Sequence, residues 1–269
     1  MIVHLKHQLI KVIEKIPLLQ IFIYNNLRYF DFLLPHDKDY YALKLVFPID
    51  EKRSFIDVGG NIGLSSIGFR KLGYNNTIHI FEPDKDLVVK NLNNLKKKYK
   101  NFKIHSFGLS NKNSFKKLYQ AYYKGIFFHF NNSFDKKYIK QKLYDNYSEK
   151  SKNFLIRSKK FKLKKFDSLN ITDNVCFIKI DVEGLDHLVL YGMRKCIKKN
   201  LPMILVEYNY SNFTKIYNLL KNRYACHIYD FKKNKLTKLS KFLIRKLQNG
   251  EILENLFKKN SVNIFFIKR

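Results

Sequence analysis

The sequence predicts a doubly wound α/β domain built on an open, mostly parallel sheet. Three observations predict it. From residue 53 onward, short apolar runs alternate with helix-length amphipathic stretches, the pattern of βαβ units. The first of these runs, Ser54-Phe55-Ile56-Asp57-Val58, breaks into the glycine-rich turn Gly59-Gly60-Asn61-Ile62-Gly63 before a helix. Acidic residues recur at the ends of successive runs (Asp57, Glu82, Asp181 and Glu207), where open sheets of this kind bind ligands.

The elements follow in order. Ile2, Leu5, Leu9, Ile10, Ile13 and Ile16 recur at mostly three- and four-residue steps between His4, Lys6, Lys11 and Lys15, so residues 2–16 read as an amphipathic helix that Pro17 ends. Its apolar face needs cover, either from the main domain or, in peripheral contact, from an anionic membrane surface. Residues 1–50 therefore read as an N-terminal helical extension and residues 51–269 as the main domain. In that domain residues 54–58, 77–81 and 103–107 are strands, with helices at 64–72 and 87–99 between them. Right-handed crossovers place those three strands side by side. Between about 112 and 160 the alternation fails, and Tyr, Phe, Lys and Asn mix without a clear helical period. Residues 115–122 and 126–130 suit a hairpin across Lys124-Gly125, and so long a stretch reads as a lid or an acceptor-binding insertion. Order resumes with strands at 161–166, 175–180 and 203–207 and a helix at 185–198. The end of the chain reads as a helix at 213–220, a strand at 225–229, a short helix at 242–247 and a strand at 262–267. With no helix-length crossover immediately before it, the last strand is open to running antiparallel.

Composition bounds the partners. A formal charge of +30 ordinarily points to nucleic acid or an anionic membrane. Only eight of the 52 basic residues are Arg, however, the residue that bidentate phosphate and base recognition favours. A solvated lysine-rich surface is therefore preferred to a nucleic-acid site, which stays open as the alternative. Cys176, Cys196 and Cys226 are widely spaced and read as reduced thiols, and no metal cluster is expected. No apolar stretch reaches the roughly 18–20 residues that span a bilayer, and no secretory signal follows Met1. A cytoplasmic protein is expected, with contact at the inner face of a membrane as a variant of that reading.

The chemistry concentrates at the strand ends. A G-x-G-x-x-G dinucleotide fingerprint ending on Gly63 requires glycine at position 58, which is Val. A carboxylate at Asp57 would repel a pyrophosphate, whereas it suits the ammonium and sulfonium groups of S-adenosyl-L-methionine; the bland alternative is an Asp capping the next helix. Glu82 lies about 20 residues beyond the turn, the separation at which an acidic residue reaches ribose hydroxyls. In Phe177-Ile178-Lys179-Ile180-Asp181-Val182-Glu183-Gly184 an apolar strand delivers two more carboxylates. Asp181, Glu183 and His187 are the candidates for a general base, with His105 and His129 weaker.

Taken together, FIDVGGNIG at 55–63, IFEPD at 80–84, GLSN at 108–111, FDSL at 166–169, FIKIDVEG at 177–184 and ILVEY at 204–208 resemble the FkbM family of methyltransferases. The resemblance runs from about residue 53 to the end, and Phe166 stands where the family's L-D-S-L block has Leu. It implies a class I Rossmann-like methyltransferase, a seven-stranded sheet with an antiparallel last strand, and methyl transfer from S-adenosyl-L-methionine to oxygen on a sugar, glycan or related small molecule. It further implies that Asp57, Gly59, Asn61 and Gly63 hold the cofactor, Glu82 its ribose, and that Asp181 and Glu183 border the reaction centre. Nothing in the family's motifs covers residues 1–50 or the stretch near 120–158.

Overall fold

The structure is a computed structural model, and it describes residues 16–19, 22, 37–182, 184–251 and 263–269, without the side chains of residues 129–131. The helix expected over residues 2–16 lies outside the described residues apart from Ile16. Residues 17–19 are helical, so Pro17 stands in helical conformation, as a first-turn proline can. The chain divides into a large unit, residues 33–114 and 162–269, and a small one that contains residues 115–161.

The large unit is built on an eight-stranded sheet. Strands β1 (Ser54–Val58), β2 (Ile78–Phe81) and β3 (Phe102–His105) lie on one side; β8 (Val175–Ile180), β9 (Met203–Glu207), β10 (Tyr224–Asp230), β11 (Lys235–Lys238) and β12 (Asn263–Lys268) lie on the other, in the order β11-β10-β12-β9-β8-β1-β2-β3. The run from β3 through β9 is parallel. β12 inserts antiparallel between β9 and β10. The sheet is thus doubly wound with an antiparallel last strand, and it exceeds the expected seven strands by β11, which folds back on β10 as an edge hairpin. The sequence of β11, Lys-Leu-Thr-Lys, has no apolar run to announce it, and its lysines suit an edge that must resist further pairing.

Alternation along the strands separates two cores. Ile56, Val58, Ile178, Ile180, Ile204 and Val206 face the helices Asp186–Gly192 and Tyr210–Leu220. Phe55, Phe177, Met203 and Leu205 face the opposite layer, which includes the helix Leu64–Lys71 and the 3-10 helix Lys38–Leu45. There Phe55, Phe69 and Phe177 pack edge to face with centroids 5.2 to 5.7 Å apart. Asp37 caps the 3-10 helix by accepting the Asp39 amide, and Tyr40, Ala42 and Leu43 are buried. Residues 37–50 accordingly belong to the large unit and are not a separate extension.

In the small unit, β5 (Ser114–Tyr123) and β6 (Ile126–Ser133) form the hairpin, turning through Lys124 (φ 49°) and Gly125 (φ 81°) in the two-residue left-handed turn that matches strand twist. The helix Lys136–Tyr147 begins where Asp135 accepts the amides of Lys137 and Tyr138. Its Ile139, Leu143 and Tyr147, four residues apart, pack on Ala121, Tyr123 and Phe128. The long strand β7 (Phe154–Lys164) borders β5, and the strand expected at 161–166 is its far end. Leu163 and Lys164 of that end already belong to the large unit, where they pair with the two-residue strand β4 (Gly108–Leu109).

Candidate active site

The sheet changes direction of winding between β1 and β8, so the crevice at their carboxyl ends is the switch point at which open α/β sheets bind ligands. Register places the tips together. Val58 aligns with both Phe81 and Ile180, and Ile180 aligns with Val206, so Asp57, Glu82, Asp181 and Glu207 share one rim. Backbone bonds join the tips: the Asp181 amide donates to the Val58 carbonyl at 3.0 Å, and the Gly59 and Gly60 amides donate to the Phe81 carbonyl at 3.0 and 3.1 Å.

The glycine turn owes its composition to that crowding. A Cβ on Gly59, whose φ is +85°, would stand 1.9 Å from the Asp181 carbonyl oxygen. The bare backbone here admits the neighbouring strand. Asn61 is left-handed at φ 46°, a conformation Asn tolerates. Gly63 (φ 92°) is the N-cap of the helix Leu64–Lys71 and supplies no side-chain cap, so the orphan amides of the first turn are open to a ligand's anionic group.

Asp57 is completely buried, and its own partners are internal. The Ser66 hydroxyl donates to its Oδ2 at 2.7 Å, and its Oδ1 lies 3.5 Å from the Lys179 ammonium. Lys179, its register partner on β8, is 8% exposed and also reaches Asp181 Oδ2 at 3.3 Å. Burial alone would lower the Lys179 ammonium, but Asp181 and Asp57 outweigh it and hold it above the ordinary lysine range. Tyr40 lies over the same cluster, donating to Ser65 Oγ at 2.9 Å, and burial raises its phenol. Asp181 keeps its side chain 47% exposed at the rim.

Glu82 is buried, and its oxygens accept the Asn61 and Asp84 amides, each at 2.8 Å. Each oxygen retains a further lone pair for a donor. Burial pushes this carboxyl up to about 7, against the pull of the two amides. Beyond β8, Asn212 donates to the Gly184 carbonyl at 2.6 Å and to Asp186 Oδ2 at 3.4 Å. Asp186 is buried, which together with the nearby Asp181 carboxylate raises it to about 7. This pair pins the loop that carries Glu183, which itself lies outside the described residues. His187 is half-buried at the start of the helix Asp186–Gly192.

Of the remaining histidine candidates, His105 aligns with Phe81 beside the rim, and its carbonyl accepts the Glu82 amide at 3.1 Å. His105 belongs to a chain in which His79 Nε2 bonds Asp173 at 2.7 Å and His79 Nδ1 bonds His105 Nε2 at 3.1 Å. The side chain of His129 lies outside the described residues. Among the described residues no group of His, Cys, Asp and Glu is arranged to hold a metal ion, and no helix is long and apolar enough to cross a membrane.

Sequence reasoning missed Lys179, Ser66, Tyr40, Asp186 and Asn212. Lys179 alone carried a signal, because a lysine inside the otherwise apolar Val-Cys-Phe-Ile-Lys-Ile requires a buried partner.

The family model described as Methyltransferase FkbM domain matches residues 57–232. Among solved structures, the chain is similar to the methyltransferase FkbM from Methylobacillus flagellatus KT, at 14% identity and a TM-score of 0.48, over 84% of this chain and 47% of that one. It thus spans about half the length of that protein. It is also similar to a SAM dependent methyltransferase from Aquifex aeolicus (14% identity, 74% of this chain and 85% of that one, TM-score 0.38). A third is the precorrin-6y C5,15-methyltransferase from Geobacter metallireducens GS-15 (12% identity, 85% and 84%, TM-score 0.37). No curated protein matches.

Proposed function

We propose that this chain, which belongs to the FkbM methyltransferase family, binds S-adenosylmethionine at the β1–β8 rim and methylates a hydroxyl of a sugar or glycan. One observation carries the reading: Asp57, Glu82 and Asp181 stand on a single rim at the switch point, beside an uncapped helix N-terminus. That donor and acceptor set fits the group. The first-turn amides of Leu64–Lys71 suit its carboxylate, Glu82 its vicinal diol, and Asp181 its positive centres. Bound there, S-adenosylmethionine supplies a methyl group on a sulfonium whose leaving group is neutral.

The protein's task is then alignment and removal of one proton. Asp181 is the acceptor for the proton a hydroxyl gives up, because it is exposed at the rim while Lys179 anchors one of its oxygens. Asp57 acts from behind, since its carboxylate is shared between Ser66 and Lys179. Taken by itself, the small unit carries aromatic and guanidinium groups of the kind on which sugar rings stack: Tyr122 packs tilted against Phe127 with centroids 5.3 Å apart, and the Arg157 guanidinium sits 5.0 Å over Tyr122.

The test is incubation with methyl-labelled S-adenosylmethionine and glycan extracts. Label in a glycan fraction is the expected result. Label confined to RNA, together with RNA binding that weakens steeply with salt, would instead favour the reading that the +30 charge supports.

A further inference from the structure

We propose that the linked trio of Asp57, Lys179 and Asp181 gives the cofactor rim one net negative charge, carried by Asp181, that distinguishes the methyl donor from its demethylated product. The inference rests on the cofactor reading above and concerns this chain's own residues. Three ionisable groups are linked at the switch point: Asp57, fully buried, Lys179, 8% exposed, and Asp181, 47% exposed, with ammonium to carboxylate distances of 3.5 and 3.3 Å. Two carboxylates and one ammonium leave a single net negative charge, and it is presented by Asp181, the only one of the three that reaches solvent to a substantial degree.

S-adenosylmethionine and S-adenosylhomocysteine differ by a methyl group and by the fixed positive charge on sulfur. Hydrogen bonds to ribose, base and amino acid are common to both and discriminate little. The rim's net charge acts on the ammonium of both ligands but meets a sulfonium only in the donor, so it favours the donor over the spent product. Lys179 pairs the buried Asp57 and tethers the exposed Asp181. Lys179 is therefore a positioning and specificity-determining residue that need not touch the reacting atoms.

The experiment is calorimetric titration of the full chain with each nucleoside, read as the ratio of the two dissociation constants. Asp57→Asn keeps an acceptor for Ser66 and brings the trio to zero charge. Asp181→Asn reaches the same charge at an exposed position where folding is not at risk. Each is expected to reduce the preference for the donor by about tenfold, the scale of one unit charge acting through a partly solvated site. Asp57→Asn/Lys179→Met returns the trio to one negative charge and is expected to restore the preference, even if both affinities fall together from the loss of tethering. A structural role alone shifts both ligands equally. A ratio unchanged in both Asp57→Asn and Asp181→Asn overturns the inference, as does a double variant that stays at the Asp57→Asn ratio. Failure of the unmutated chain to bind either nucleoside overturns the cofactor reading itself, a different and recognisable outcome.

Discussion

Replacing Lys179 with Met isolates the energetics of the buried pair. The substitution removes the cation 3.5 Å from Asp57, a carboxylate with no exposure to water, and leaves it one hydrogen bond, from Ser66. Breaking a buried pair from one side costs about 3–5 kcal/mol, because the surviving charge is left uncompensated. The half-exposed Asp181 adds little, since water solvates it once the lysine is gone. Adding Asp57→Asn removes the stranded charge while preserving an acceptor for Ser66, so the double variant should recover most of the loss. The sign with pH follows from linkage. In the unmutated protein the lysine's pKa is raised, so its stabilisation persists until pH climbs past the ordinary lysine value. Urea unfolding at pH 7 measures all three proteins. Equal stability of the single and double variants there would refute the reasoning.

Other consequences are as direct. Gly59→Ala forces a Cβ toward the Asp181 carbonyl at a left-handed position, and the loss of left-handed freedom plus the strained Asp181–Val58 bond should cost at least about 3 kcal/mol; an unchanged melting temperature would contradict the close approach. Glu82→Gln should weaken S-adenosylhomocysteine binding at pH 8 by about tenfold or more, the scale of a hydrogen bond to a charged acceptor. Because Glu82 is pushed up to about 7, that deficit should narrow at pH 6, where the native carboxyl is itself largely protonated, and a constant deficit speaks against the raised pKa. His79 and His105 are both lowered by burial, His105 to about 4, so they favour folding fully above the unfolded histidine value and lose that contribution as pH falls toward 4. The His105 imidazole resonance should accordingly show no titration above pH 6, and a midpoint near 6.5 would disprove the buried chain.

Legibility varied with how strongly burial constrained each element. β1, β8 and β9 are sheathed on both faces, so their sequences are nearly continuous apolar runs whose ends can be read to the residue. The hairpin turn was legible for a different reason, since Lys124-Gly125 must supply two left-handed residues. By contrast, the helix Lys136–Tyr147 escaped notice because it buries only Ile139, Leu143 and Tyr147, a narrow stripe among lysines and exposed tyrosines. β4 is too short, and β11 too short and too exposed, to impose any pattern.

The site divides along the same line. Which residues sit at strand tips follows from chain order, and Asp57, Glu82 and Asp181 could be named from it. What each carboxylate does depends on register and on which strands are neighbours, and neither is written in the local sequence. Asp57 suited a cationic ligand as long as no other cation was near. Placing β8 beside β1 brings Lys179 opposite it, as a polar register pair between two buried strands. The lysine takes the inner carboxylate for the protein's own use and leaves the outer one, Asp181, to face whatever binds. A strand otherwise built of Val, Cys, Phe and Ile would hold nearly as well with an aliphatic residue at 179 and Asn at 57, because two charges would no longer have to be desolvated. Retaining the pair makes sense if the charge itself is used at the rim.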